Sequence, residues 1–271
     1  MRIRPCLCLL VLTAVASADS FDKPLRKQTV VLSPASKSIP PDPAVKASCF
    51  FYADFMVKQI DAGEVGSESL SIVPLKKGVP AACSRKRSAG EIVIDPKDWS
   101  GYFKGVKDRM VFFSGDDGVN RGMGFAVFDS TTGKKIFDDV AFGPLEFPDL
   151  HHPHLTLRYT RVADGGCNML KDQVVCWSKI KSNLGSDLAE PDCKKAYEKS
   201  ARELAEGRCQ AEGKNKDLVK ASAACVAKEL PLATQQTSEA SSVIAYLVEV
   251  DLSPQPAIRP VARPTQCWPS D

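Results

Sequence analysis

The chain contains three histidines, and they fall together in FPDLHHPHL (residues 147–155) as His151, His152 and His154. Imidazole is a preferred ligand of zinc and copper, so the cluster is the first place to look for chemistry. Pro153 drives His152 toward an extended backbone, and the alternating stretch LTLRYTRV (155–162) begins at once. His152 and His154 are therefore expected on one side of an extended chain, about 6.5–7 Å apart, with His151 turned the other way. The pair supplies two metal ligands, and Glu146 or Asp149 would supply a third. The competing and preferred expectation is a polar loop whose imidazoles are solvated or hydrogen-bonded, with no cofactor.

Other chemistry is thinner. GDDGVN (115–120) offers oxygen ligands of the kind calcium takes, but it lacks the twelve-residue spacing and the closing glutamate, so a plain turn is expected. Asp138, Asp139 and Asp149 are carboxylates that nothing in the sequence brings together. There is no GxSxG elbow, no SxxK set and no HExxH helix. Trp99 and Tyr102 in DWSGYF would suit stacking on the apolar face of a sugar, although core packing is the more ordinary fate of Trp99, as of Phe50 and Tyr52. A non-enzymatic protein acting through its surface is the first expectation. A metal-dependent hydrolase or metal carrier is the second, and a carbohydrate-binding module the third.

The first residues, MRIRPCLCLLVLTAVASADS, place Arg2 and Arg4 before an apolar run and an Ala-Ser-Ala pattern. That is the form of a secretory signal peptide spanning residues 1–18, with cleavage expected after Ala18, too short to span a bilayer. The protein is expected to be exported, periplasmic or secreted, with no membrane span. Removing two of the 36 basic residues leaves 34 against 33 acidic ones, a net charge of +1. Nucleic acid is not an expected partner at that charge, and the basic cluster Arg85-Lys86-Arg87 is expected to be solvated.

Of the ten cysteines, two lie in the leader, and the remaining eight are Cys49, Cys83, Cys167, Cys176, Cys193, Cys209, Cys225 and Cys267. An even number without a CxxC pair reads as four disulfides in an oxidising compartment and leaves no cysteine as a nucleophile.

The elements that position these groups are mostly strands. Residues 19–47 form a Pro, Ser and Lys-rich lead-in, expected to dock one short strand at most. CFFYADFMVKQI (49–60) reads as one strand buried on both faces; RMVFFSG, GFAVFDS, KKIFDD, LTLRYTRV, QVVCWSKI and SVIAYLVEVDL follow as further strands. Val111–Asp139, three short strands joined by glycine-bearing turns, resembles one blade of a β-propeller. The expected fold is mainly β, an antiparallel sandwich or small barrel with a propeller-like alternative, in one domain over residues 48–252.

A two-helix hairpin is expected as an insertion at 187–230. Its first helix would run from Pro191 to a stop at Gly207, and its second from Asp217 to a stop before Pro231. In such a hairpin Cys193 faces Cys225, and Cys167 and Cys176 flank a local loop. Cys49 with Cys83 and Cys209 with Cys267 complete the pairing by order along the chain. Residues 253–271 form a Pro-rich tail expected to run extended over the surface.

Overall fold

In β7 (Met110–Val119) and β8 (Gly122–Asp129) apolar residues occupy both faces of the strand, and the protein buries both. Phe112, Phe125 and Val127 point into one core, whereas Val111, Phe113, Ala126 and Phe128 point into another. A strand buried on both sides must lie in an inner layer. The computed structural model describes residues 21–76, 81–148, 155–184, 188–212, 223–252, 255–261 and 264–270.

Two antiparallel sheets make the layers. The first takes β1 (Arg26–Ser33), β2 (Val45–Phe51), β3 (Phe55–Asp61), β4 (Ser69–Pro74) and β5 (Ile92–Val93) in chain order. The second is a meander of β6 (Tyr102–Lys107), β7, β8, β9 (Lys135–Glu146), β10 (Thr156–Asp164) and β11 (Ser242–Asp251). It is extended beside β11 by β12 (Ala257–Pro260) and β13 (Gln266–Pro269). Val57, Leu70 and Ile72 of the first sheet meet Val111, Phe113 and Phe128 of the second, which is sandwich packing. The segment likened to a propeller blade is three neighbouring strands of this one meander.

Two helices cover the other face of the second sheet, and a third packs against the second of them. Cys176, Trp177 and Ile180 of α1 (Gln173–Leu184), with Cys193 and Tyr197 of α2 (Cys193–Glu212), join Leu157, Tyr159, Ile244 and Val248 in the larger core. QVVCWSKI is therefore a helix and not the expected strand. Asp172 caps it, its Oδ1 accepting from the Val175 amide at 3.1 Å. The buried side chains recur at helical spacing while Val174 and Val175 stay exposed. Their β-branched character imitated a strand.

Gly207 does not end α2, which continues to Glu212, and α3 (Ala223–Glu239) runs through Pro231 instead of stopping before it. Burial of Ala233 and Thr237 beyond the proline holds the helix on course; Asp217, the expected cap, lies outside the described residues. This length changes the disulfides. Cys209 sits near the end of α2 and Cys225 near the start of α3, and the two form a bridge. Cys193, at the opposite end of α2, bonds Cys267 of β13. The expected pairs Cys193 with Cys225 and Cys209 with Cys267 are thus exchanged, because both helix ends were placed short. Cys49–Cys83 and Cys167–Cys176 form as expected.

The segment 49–60 divides into β2 and β3 at a tight turn in which the Tyr52 amide donates to the Phe55 carbonyl at 2.8 Å. The lead-in supplies all of β1. Just before it, Phe21 lies edge-on to Phe112 and Phe147, each ring centroid 5.2 Å away. Gly105 makes room, since a β-carbon there would come within 2.4 Å of the Phe21 ring. Among the described residues no helix is long and apolar enough to cross a membrane.

Candidate functional site

Asp149, His151, His152 and His154 lie outside the described residues, and their flanks are what the fold positions. Leu145 and Phe147 face the larger core, so Glu146 between them faces outward. There it stands opposite Arg158 of β10, which donates through Nε to Glu249 of β11 at 3.0 Å; Arg259 of β12 stands opposite Glu249 in turn. The result is a row of alternating charges across four strands. Nearer the histidine segment, Thr156 pairs with Asp251, and the ladder continues with the Leu252 amide donating to the Leu155 carbonyl at 2.9 Å. Asp251 Oδ1 is buried and accepts no hydrogen bond. This carboxylate was not singled out from the sequence, because only strand register sets it opposite a residue two positions from His154. Among the described residues no three His, Cys, Asp or Glu side chains are grouped to hold a metal.

Trp99 is half-buried against the core between the sheets, and its Nε1 donates to the Ser114 carbonyl at 3.3 Å. The Tyr102 hydroxyl accepts from the Gly66 amide at 2.9 Å and donates to the Glu64 carbonyl at 3.2 Å. Each polar end is therefore used to clamp a neighbouring loop or strand. GDDGVN continues β7 through a bulge, and the turn falls at Asn120 and Arg121, both with positive φ. Asp138 and Asp139 point to opposite faces because they are adjacent in β9: Asp138 meets Lys135 at 3.5 Å, and Asp139 meets Arg161 at 2.7 Å.

Asp139, with Tyr159, Arg161 and Tyr246, forms a partly enclosed ionisable cluster in the protein's larger core. Asp139 accepts from the Tyr159 hydroxyl, and Arg161 donates to the Tyr246 hydroxyl at 3.2 Å. Burial pushes both phenols upward, and the Asp139 charge pushes Tyr159 further. Burial works against the Arg161 charge, but Asp139 and Tyr246 outweigh it and hold the guanidinium protonated. Each of these shifts carries its group away from neutral pH, so the cluster keeps its protons where a general acid or base would exchange them. It is a charge-paired polar patch in a core, although Arg161 Nε, 2.7 Å from Asp139, makes no hydrogen bond.

Neither a protein-family model nor a curated protein nor a solved structure matches the chain. Geometry alone must choose among the surfaces, and it favours the helices. A cleft of about 570 Å³ opens between α2, α3 and the loop before α1, with Leu170, Tyr197, Leu230 and Thr234 among its walls and Lys194, Glu198 and Arg202 along one side. That volume lies in the range of small-molecule sites. The last three residues recur every fourth position on α2 and so share one face. Tyr197, buried, fixes the floor: its hydroxyl lies 2.7 Å from Ser242 Oγ and donates to the Ala240 carbonyl at 3.3 Å.

Every wall is tied down. Cys193–Cys267 pins the start of α2 to β13, Cys209–Cys225 joins α2 to α3, and Cys167–Cys176 closes the loop bearing Leu170. Asn168 Nδ2 donates from that loop to the carbonyls of Ser238 and Ala240 at 2.8 and 2.6 Å, locking it to the end of α3. Two further clefts, about 590 and 430 Å³, flank Arg121 on the other side of α2. There Arg121 donates to Ser200 Oγ at 3.1 Å and lies over the Trp268 ring, so it joins the β7–β8 turn to α2 and β13.

Proposed function

We propose that this is an exported, non-enzymatic binding protein whose ligand seats in the cleft between α2 and α3. The observation that carries the proposal is the bracing: three disulfides hold the three walls of one small cleft with an apolar floor. Preorganised walls reduce the ordering entropy that a ligand must overcome. The leader pattern of residues 1–18 and the four disulfides support export.

The test is binding of a neutral apolar fluorophore, Nile red, to the oxidised protein. Thr234, exposed at the cleft wall, is replaced by tryptophan to fill it. One saturable site, lost on Thr234→Trp with far-UV circular dichroism unchanged, is the expected result. Binding that is indifferent to Thr234→Trp would remove the cleft as the site.

A metal site built on His152 and His154 is the second reading, and the orphaned carboxylate oxygen of Asp251 favours it. Glu146, outward-facing on the same side of the sheet, and Asp149 are further oxygen ligands for it. Zinc or copper is the expected ion for imidazole with carboxylate. Equilibrium dialysis against each, followed by elemental analysis, should give one ion per chain and none in the His152→Ala, His154→Ala double variant. Retention by Asp251→Asn would transfer the third position to Glu146 or Asp149.

A further inference from the structure

The cations of α2 divide into two sets. Lys195 lies 3.9 Å from Asp192, Lys199 lies 3.5 Å from Glu203, and Arg208 lies 3.9 Å from Glu229. Lys194 and Arg202 have no such partner among the described residues, and these two line the cleft. Lys194 also stands in the first turn of the helix, where the aligned peptide dipoles disfavour a cation. Opposite them the cleft offers Leu170, 41% exposed, and Leu230.

Resting on the cleft assignment above, we propose that the ligand is a free, single-chain anionic amphiphile. Its apolar chain lies along Leu170, the Tyr197 ring and Leu230, and its anionic head meets Lys194 and Arg202. Glu198 lies between the two cations, four residues from each, and leaves this side of the cleft with a formal charge of +1. A chain with a compact anionic head matches both halves of the site, whereas a neutral head leaves the cations unused and a cationic head is repelled. The small volume suits one chain and not a bilayer surface.

The experiment is calorimetric titration of the oxidised full chain with three twelve-carbon probes below their micelle concentrations: dodecanoate, dodecyl maltoside and dodecyltrimethylammonium. Exposed ion pairs contribute roughly a few-fold each. Dodecanoate should therefore bind about tenfold more tightly than the maltoside, with the ammonium weakest. Lys194→Gln with Arg202→Gln should remove the preference for dodecanoate, and Glu198→Gln should strengthen it by about two- to fourfold. Raising the salt should narrow the gap, because screening acts on exposed charge.

Equal affinity for dodecanoate and maltoside, or a preference that survives the double variant, would overturn the head-group assignment while leaving the cleft in place. Binding of none of the three probes, or binding unaffected by Thr234→Trp, would instead overturn the cleft itself. Sedimentation with phosphatidylglycerol vesicles, abolished by the double variant, would overturn the assignment to a free amphiphile in favour of a membrane surface.

Discussion

The sharpest stability prediction concerns Lys58 and Glu91, an ion pair whose side chains are each only 3% exposed. Lys58 and Ser71 project from the outer face of the first sheet, and the loop carrying Cys83, Lys86, Ser88 and Glu91 crosses over them. Lys58 Nζ donates to Glu91 at 2.9 Å and to the Lys86 carbonyl at 3.2 Å; Glu91 also accepts from Ser71 Oγ at 2.8 Å and the Ser88 amide at 2.7 Å. Glu91→Gln keeps the shape and most acceptor capacity but strands the ammonium, and breaking a buried pair this way costs about 3–5 kcal/mol. Adding Lys58→Met removes the stranded charge and leaves mainly the Lys86 carbonyl unmatched, a loss of about 1–2 kcal/mol. The double variant should therefore be more stable than Glu91→Gln alone by about 2 kcal/mol, measured by urea unfolding with unchanged m values. Acid titration gives an independent reading. Burial raises the Glu91 carboxyl, but the Lys58, Ser88 and Ser71 hydrogen bonds and the Lys58 charge bring it below its ordinary 4.5. A carboxyl depressed by folding stabilises above its unfolded pKa and loses that contribution as pH falls through the folded one. The wild type should therefore lose stability more steeply than Glu91→Gln below about pH 4.5. A Glu91→Gln cost below about 1 kcal/mol, or a double variant no better than the single, would refute the argument.

Non-reducing digestion with mass spectrometry should recover Cys193 joined to Cys267 and Cys209 joined to Cys225; a Cys193–Cys225 peptide would overturn the hairpin described for α2 and α3. Opening the bridge of sequence separation 74 should cost about 4.5 kcal/mol and the one of separation 16 about 3 kcal/mol, if constraint of the unfolded chain dominates. Gly105→Ala should displace the Phe21 ring and cost about 1–3 kcal/mol. The same change should be nearly silent in a Phe21→Ala background, and additive costs in the double-mutant cycle would argue against the contact. In alkaline difference spectroscopy Tyr52 should ionise near its raised value of about 12, with burial as the main cause. Tyr159 should remain protonated beyond that, so Tyr159→Phe should leave the titration below pH 12 unchanged.

Continuous apolar runs of strand length were enough to place β7, β8 and β11, because those strands are buried on both faces over much of their length. That reading failed at QVVCWSKI, where two exposed valines next to buried Cys176 and Trp177 make an apolar run with no period, and only the cap at Asp172 distinguishes helix from strand. Gly207 and Pro231 are ordinary stop signals overridden by packing, and that displacement exchanged two disulfides. The site was less legible than the fold. Lys194, Glu198 and Arg202 show a shared helical face in the sequence, but Leu170 and Leu230 oppose them only through the Asn168 contacts and the α2–α3 pairing. Asp251 depends on strand register in the same way. Conversely, Asp138 and Asp139 are separated by the simplest rule of a strand, since adjacent side chains point apart.

The distribution of covalent ties follows the distribution of apolar burial. The sheets bury Phe, Val, Ile and Leu in quantity and carry one bridge, Cys49–Cys83, under the loop over the first sheet. In contrast, α2 buries chiefly Tyr197, Ala201 and Ala205 apart from its cysteines. Small side chains remove little area from water, so a hairpin built on them has a weak hold on the sheet behind it. The remaining three bridges stand where that hold is weakest, and by standing there they also frame the cleft. An apolar interface large enough to hold the helices without bridges would draw Leu170 and Leu230 inward. Cross-linking permits the opposite arrangement, in which the helices are fixed while apolar and charged side chains stay at the surface, available to a ligand.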